Sequence, residues 1–351
     1  MSESATMKAA RFYGPGEPLR VEQIPRPVCA EAEVLVRVGA TGICGSDIHI
    51  AVEGITPTPY QPIVLGHEIA GTVAEVGADA RGWERGDRVS VCAVVGDGTC
   101  MNCVRGHSEV CLNRKVLGIQ AEGGLAEYVA VPARCLCRLP DNVSFSVGAV
   151  ITDAVATPFH ALVDVARLSA GESLLVVGVG GLGLHAVQLA KLIGASPIIA
   201  VDVRPVQCKR AQQHGADLVV DASAQPLAEA VLAATDGMGV DVAAEFVGHQ
   251  DTIGQAVESL RIGGRAVIVG LGAEPITVLP PTMFVRKQLQ VLGSYGFTTH
   301  TIDRVLSLVS AERLDLSDSI THTFPLDEAD TALRILHAKI GDPQRVVVIP
   351  T

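Results

Sequence analysis

Cys44, His67, Glu68 and Asp153 are the residues of this chain whose types could hold a catalytic metal. Thiolate, imidazole and carboxylate are the usual donors to zinc; three protein donors leave a position open for chemistry, and four close it. Cys44 lies in Gly42-Ile43-Cys44-Gly45-Ser46-Asp47-Ile48-His49, and His67 in Gly66-His67-Glu68. Their spacing does not by itself bring them together. Taken singly, Cys44 and His67 would also suit a buried thiol and a surface imidazole.

A second group is more compact. Cys100-x2-Cys103-x7-Cys111 reads as a structural zinc loop whose fourth donor the spacing leaves open; Asp97, three residues before Cys100, is a candidate. Cys92 and His107 also lie near. A redox role for the CxxC is the weaker reading, because no βαβ unit carries it.

A third group is Gly178-Val179-Gly180-Gly181-Leu182-Gly183, a GxGxxG that follows an apolar strand pattern and opens a helical one. Asp202 ends the next strand, near the ~20-residue offset of a dinucleotide-binding fingerprint. The glycines let the backbone approach a pyrophosphate at a helix N-terminus. Asp202 can accept from both ribose hydroxyls and would repel a 2′-phosphate, which favours NAD over NADP; Arg204, two residues on, weakens that preference.

The elements that must position these groups fall into two patterns. Short β-branched runs at 34–38, 71–76, 87–91 and 126–131, punctuated by Gly, Pro and Asp, predict an antiparallel barrel-like domain. After about residue 150 strands and helices alternate: strands at 174–177, 198–202, 218–220, 240–246 and 265–269, helices at 182–194, 204–214, 226–234 and near 251–260. That alternation, with near-continuous apolar strands, predicts a doubly wound parallel α/β sheet. A helix at 302–309 and a strand at 346–349 could close either domain.

The chain has 351 residues, enough for two domains, and 48% hydrophobic residues, which excludes disorder for most of it. With 27 Lys+Arg against 38 Asp+Glu the net charge is −11, which argues against nucleic acid and anionic membranes as partners. One Trp, four Tyr and seven Phe make base-stacking platforms an unlikely design. No secretory signal is read at the N-terminus, and 174–183 is taken as the longest apolar stretch, too short for a bilayer. Nine cysteines, an odd number, then point to metal or catalytic use in a cytoplasmic protein rather than a disulfide framework.

Taken together, GICGSDIH (42–49), LGHEIAGTV (65–73), GDRV (86–89), the cysteine loop, TDAVATPFHAL (152–162) and GVGGLG (178–183) resemble the zinc-dependent alcohol dehydrogenases of the medium-chain dehydrogenase/reductase superfamily, and most closely their secondary-alcohol, polyol and threonine branch. The resemblance implies a GroES-like catalytic β-barrel domain over 1–154 and 293–351 and a Rossmann domain over 155–292, with the active site in the cleft between them. It implies Cys44, His67 and Asp153 as catalytic zinc ligands. Glu68 is implied as a neighbouring carboxylate that becomes a ligand in polyol dehydrogenases. Ser46 and His49 are implied as a proton relay, with Asp47 orienting His67, and Thr157 packs near the nicotinamide. Arg345 is implied as a pyrophosphate contact. Asp97 stands where most relatives have the first structural-zinc cysteine.

The activity implied is interconversion of an alcohol and its ketone or aldehyde by hydride transfer with NAD(H), through a zinc that lowers the alcohol's pKa. Ala93 and Val94 suggest room for a secondary alcohol; a polyol or specialised biosynthetic substrate is the alternative. A zinc-free quinone or enoyl reductase would lack Cys44, His67 and the cysteine loop. A non-catalytic dinucleotide sensor would have lost ligands or relay residues, which are all present. A homodimer or homotetramer is implied, with 275–281 and 289–292 at the pairing edge.

Overall fold

The computed structural model describes residues 5–224 and 227–350 and divides into two compact units, Met1–Ala156 with Gly296–Thr351, and Thr157–Tyr295.

In the first unit the strand Glu33–Ile43 is buried along most of its length, because it is paired on both sides. Its antiparallel partners are Glu68–Val76, Tyr128–Pro132 and Arg345–Ile349. The sheet continues through Arg88–Val91 and Leu136–Arg138 on one side and Ile320–Pro325 on the other. A second sheet joins Arg20–Pro25, Thr6–Phe12 and Ile63–Val64. Helix Ala329–Ala338 lays Ala329, Ala332, Leu333 and Leu336 onto a core shared with Phe12, Ile43, Leu65 and Val346. The last strand therefore closes this unit.

The second unit is a six-stranded parallel sheet. Its order is Leu218–Asp221, Ile198–Asp202, Leu174–Val177, Val240–Glu245, Leu260–Ile268, Gln290–Gly293. Helices Gly183–Ile193, Pro205–His214, Leu227–Ala234 and Gln250–Glu258 connect it; position 226, the expected start of the third helix, lies outside the described residues. The strand order reverses between Leu174–Val177 and Val240–Glu245, the point at which doubly wound sheets bind ligands.

Several elements differ from the sequence expectation. The strand expected at 265–269 begins earlier, at Leu260. Thr6–Phe12, Arg20–Pro25 and Ile320–Pro325 are not among the expected elements, nor is the helix Ala329–Ala338, although its apolar residues at 329, 332, 333 and 336 keep a helical spacing. Among the described residues, the helical run Phe145–Val165 is long and apolar enough on average to cross a bilayer yet is mostly buried inside the protein. It is a core helix. Two π-turns, Ile151–Val155 and His160–Val165, flank the short segment Ala156–Phe159, where Pro158 lacks the N–H that a regular turn uses.

Candidate active site

The register of the first sheet assembles the metal-type donors. Gly42 lies opposite Glu68, and Ile43 opposite Val346. Cys44, His67–Glu68 and Arg345 are therefore the residues just at or beyond three adjoining strand ends. Cys44 then caps helix Gly45–Ala51: its sulfur accepts from the Ser46 N–H at 3.4 Å. Asp153 comes from the π-turn, a feature that recurs at functional sites because it turns a side chain out of helical register.

The sulfur of Cys44 lies 3.1 Å from His67 Nε2, and Asp153 Oδ2 lies 3.9 Å from the same nitrogen. One ligand atom from each of Cys44, His67, Glu68 and Asp153 falls within 4.8 Å of every other. Cys44, His67 and Glu68 are buried, Glu68 completely. Asp47 sits behind them. One oxygen accepts from the Cys44 N–H at 2.9 Å; the other accepts from the Gly66 N–H at 3.3 Å and faces His67 Nδ1 at 3.6 Å. A carboxylate behind a ligand-type histidine fixes the ring and raises its basicity.

The electrostatics are those of donors gathered for a cation. Burial pushes the Cys44 thiol up, and His67 opposes that shift. Burial pushes Glu68 up to about 7 against the lowering effect of Arg345. Desolvation opposes charge on His67, yet Cys44 and Asp47 hold it well above the imidazole range. Glu68 Oε2 is buried with no hydrogen-bond partner. A divalent ion offsets the cost of such desolvated acids, and a thiolate, an imidazole and carboxylates are zinc donors, so the residues fit zinc.

Asp97, Cys100, Cys103 and Cys111 form a second cluster with the same 4.8 Å limit. Asp97 Oδ1 accepts from the Thr99 and Cys100 N–H groups, both at 2.8 Å, and Oδ2 accepts from Asn113 Nδ2 at 2.7 Å. These bonds hold its carboxyl well below the usual range. Burial pushes the Cys103 thiol up to about 12. A compact set of three thiols and one carboxylate also fits zinc. Cys92 and His107 stand outside the cluster.

In the parallel sheet, Gly178 leaves the end of Leu174–Val177 at φ 83°, where a Cβ would meet Val247 Cγ2 at 2.5 Å. A Cβ on Gly183 would strike the Gly178 carbonyl, whereas one on Gly180 would meet nothing within 4 Å. Leu182 is the N-cap of helix Gly183–Ile193, and the Gly181 carbonyl lies 2.9 Å from His185 Nδ1. Asp202 accepts from the Val179 N–H at 3.0 Å and from the Arg204 N–H at 2.9 Å, tying the glycine loop to the next strand end. Each carboxylate oxygen keeps a further lone pair for a ligand hydroxyl. Thr157 is buried in the segment Ala156–Phe159.

Residues 30–141 match the model of the alcohol dehydrogenase GroES-like domain, and residues 181–311 that of the zinc-binding dehydrogenases. An L-threonine 3-dehydrogenase of Bacillus subtilis is 34% identical over 335 residues, 93% of this chain and 94% of that protein. The chain belongs to the zinc-dependent alcohol dehydrogenase family. The alcohol dehydrogenase of Thermus sp. ATN1 superposes with a TM-score of 0.92 at 30% identity, covering 98% of this chain and 100% of that one. A structure from Sinorhizobium meliloti 1021 with NADP bound gives 0.91 at 30% identity over 99% and 100%. This dehydrogenase is thus an oxidoreductase with a GroES-like domain and a Rossmann-like sheet, interconverting alcohol and carbonyl by hydride transfer.

Arg345, expected beside a pyrophosphate, is buried with its guanidinium on Glu68. Its position one residue before the Val346–Ile43 pair explains this: the strand end points it at the metal-type cluster. Sequence reasoning also missed three supporting residues. Gly42 makes room for Glu68, Glu53 Oε2 lies 2.6 Å from His49 Nδ1, and Asn113 holds Asp97. Only the i,i+4 spacing of His49 and Glu53 could have been read in advance.

Proposed function

We propose that this dehydrogenase oxidises a secondary alcohol with NAD, or reduces the corresponding ketone, at Cys44, His67 and Asp153. The observation that carries the reading is the convergence of those three side chains on one buried point behind which Asp47 sits. Zinc held there supplies Lewis acidity toward an alcohol oxygen, and a nicotinamide supplies the hydride acceptor. Asp47 keeps His67 presented through Nε2. Glu68 is kept beside the cluster by Arg345, where its partnerless Oε2 can serve as a further donor, as the resemblance to polyol dehydrogenases implies. Ser46, half-buried beside the cluster, would accept the alcohol proton at Oγ while passing its own hydroxyl proton on. His49, part-exposed and held by Glu53, passes it to solvent.

The glycines of 178–183 and Asp202 bind the dinucleotide, with Thr157 near its nicotinamide. The carboxylate of Asp202 favours NAD, and Arg204 contributes by its backbone to holding that carboxylate. Asp97, Cys100, Cys103 and Cys111 hold a structural zinc. The small, buried Ala93 and Val94 support a secondary alcohol as substrate. The outer strand Gln290–Gly293, with exposed Ile276 and Met283 nearby in sequence, supports pairing of two copies edge to edge. All nine cysteines are free, and three gather in one cluster; that supports the reducing cytoplasm as its compartment.

A substrate panel decides the matter. Secondary alcohols, L-threonine and sorbitol are assayed with NAD and with NADP by nicotinamide absorbance, on protein of measured zinc content. Turnover of a secondary alcohol with NAD, lost with the metal, is expected. Full turnover by metal-free folded protein would overturn the reading.

A further inference from the structure

Cys92, Cys135 and Cys137 are buried and belong to neither metal-type cluster. The pairing of Arg88–Val91 with Leu136–Arg138 sets Val91 opposite Leu136 and Ser90 opposite Cys137. The ladder runs one pair further, because the Cys92 N–H donates to the Cys135 carbonyl at 2.8 Å. Cys92 and Cys135 therefore stand directly opposite each other. Side chains alternate between the two faces of a sheet. Val89, Val91 and Leu136 enter the apolar core of one face, so Cys92, Cys135 and Cys137 share the other. There the Cys137 sulfur donates to the Thr299 carbonyl at 3.5 Å, at the start of helix Thr299–Ser310, and the Cys92 sulfur to the Phe297 carbonyl at 3.9 Å.

Opposed residues joined by such a bond have Cα atoms about 5.5 Å apart, which lies within the disulfide range. Their Cβ atoms are about 4.5–5.5 Å apart, against about 3.5–4.5 Å in a disulfide, so bridging draws the two strands together by roughly 1 Å. Cys137 is a diagonal neighbour of Cys92, about 7–8 Å away and out of reach. On its other side Arg88–Val91 is flanked by Glu68–Val76, with Ile69 opposite Val91. One residue on, that register sets Cys92 opposite Glu68 of the metal-type cluster. Cys92 thus lies between Glu68 and Cys135, and a pull toward Cys135 draws it away from Glu68.

We propose that Cys92 and Cys135 are a reversible redox pair, oxidised by a peroxide, whose disulfide lowers turnover by drawing the strand end away from the metal-type cluster. Cys135 is the attacking thiol. Burial pushes it up to about 11 against the lowering effect of the adjacent Arg134, and burial pushes Cys92 up further. Its thiolate attacks one peroxide oxygen and expels hydroxide, which takes up the thiol proton as water and leaves a sulfenic acid on Cys135. The Cys92 sulfur then displaces the sulfenic oxygen as a second water. Two thiols and one peroxide become one disulfide and two waters. A small dithiol reverses the step by exchange, and a bond that must draw strands together is of the readily reduced kind. Thiols so seldom ionised react slowly, so the pair answers sustained oxidation rather than a brief pulse. The effect on turnover rests on the reading of Cys44 and His67 as metal ligands.

The test exposes the whole zinc-loaded protein to hydrogen peroxide, quenches with catalase, blocks the remaining thiols and maps the peptides by mass spectrometry. Turnover and zinc content are measured before oxidation, after it, and after dithiothreitol. A Cys92–Cys135 cross-link is expected, with zinc retained, turnover lowered about tenfold and recovery on reduction. Cys135→Ala keeps its turnover in peroxide, and Cys137→Ala behaves as the parent protein does. Should Cys135→Ala not fold, Cys92→Ala takes its place, and the peptide map of the parent protein decides by itself whether the bond forms. Absence of the Cys92–Cys135 peptide, a cross-link to Cys137 in its stead, or a cross-link with unchanged turnover overturns the proposal. So does a loss of turnover that follows loss of zinc equally in Cys135→Ala and the parent, which would place the sensitivity at the metal-type thiols. Full turnover by Cys44→Ala would instead overturn the reading of the metal site.

Discussion

Gly42 and Glu68 face each other across the register of two antiparallel strands, and the Glu68 carboxylate fills the space a side chain on Gly42 would need. Glu68 cannot retreat, because it is fully buried and held by Arg345. Gly42→Ala is expected to destabilise the protein by about 2 kcal/mol through overpacking and to lower turnover at least tenfold. Adding Glu68→Ala returns most of the stability but not the turnover. Denaturant titration of the two single variants and the double variant reads the coupling; additive stabilities would sink the account.

Metal content separates the two clusters. Elemental analysis of the intact protein is expected to give two zinc ions per chain. Cys44→Ala or Asp153→Ala leaves one and abolishes turnover with a small change in Tm. Cys103→Ser also leaves one, but lowers Tm strongly, because a four-donor site of this kind contributes directly to folding. Unchanged zinc in Cys44→Ala would remove that residue from the site.

Asp47 reaches the cluster only through Cys44 and His67. Asp47→Asn keeps the size of the side chain but not its charge, and is expected to weaken zinc affinity at the buried cluster by 10- to 100-fold, roughly the range for such supporting carboxylates. Competition with a chromogenic chelator measures it. The Asp97 cluster in the same molecule provides the internal control, and a loss at both would contradict a local role.

Glu172 and Arg265 form a two-point ion pair, with contacts of 2.9 and 2.6 Å, at the amino end of the inner strands of the parallel sheet. The Arg265 hydrogen bond holds the Glu172 carboxyl below its ordinary value of 4.5. A lowered carboxylate adds stability above the unfolded-state value and loses it as pH falls through the folded-state value. Glu172→Gln is therefore expected to be about 1 kcal/mol less stable at pH 7. The gap closes as pH falls below 4.5. Chemical denaturation across pH 3–7 follows it, and a gap constant with pH would refute the pair.

The parallel sheet was legible because its strands are buried on both faces and its helices are long enough to show their period. The glycine loop was legible because its chemistry needs glycines at fixed offsets. Helix Phe145–Val165 was hidden by Gly148 and Pro158, which interrupt a helical pattern when read from sequence. Cys44, His67 and Asp153 could be named from their donor types. That they meet could not, since it depends on the Gly42–Glu68 and Ile43–Val346 pairings and on one π-turn. Asn113 acts through a hydrogen bond to the Asp97 side chain, for which spacing leaves little trace.

The pairing of Arg345–Ile349 with Glu33–Ile43 has a consequence for how the protein is made. During translation Glu68 is synthesised long before its guanidinium partner, and the entire nucleotide-binding unit emerges in between. Until the last strand leaves the ribosome, the buried acid has no counter-charge and the sheet has an open seam beside Ile43. The ion site can therefore mature only after that strand has been made, and a nascent chain stalled before it would carry an exposed sheet edge for chaperones to cover.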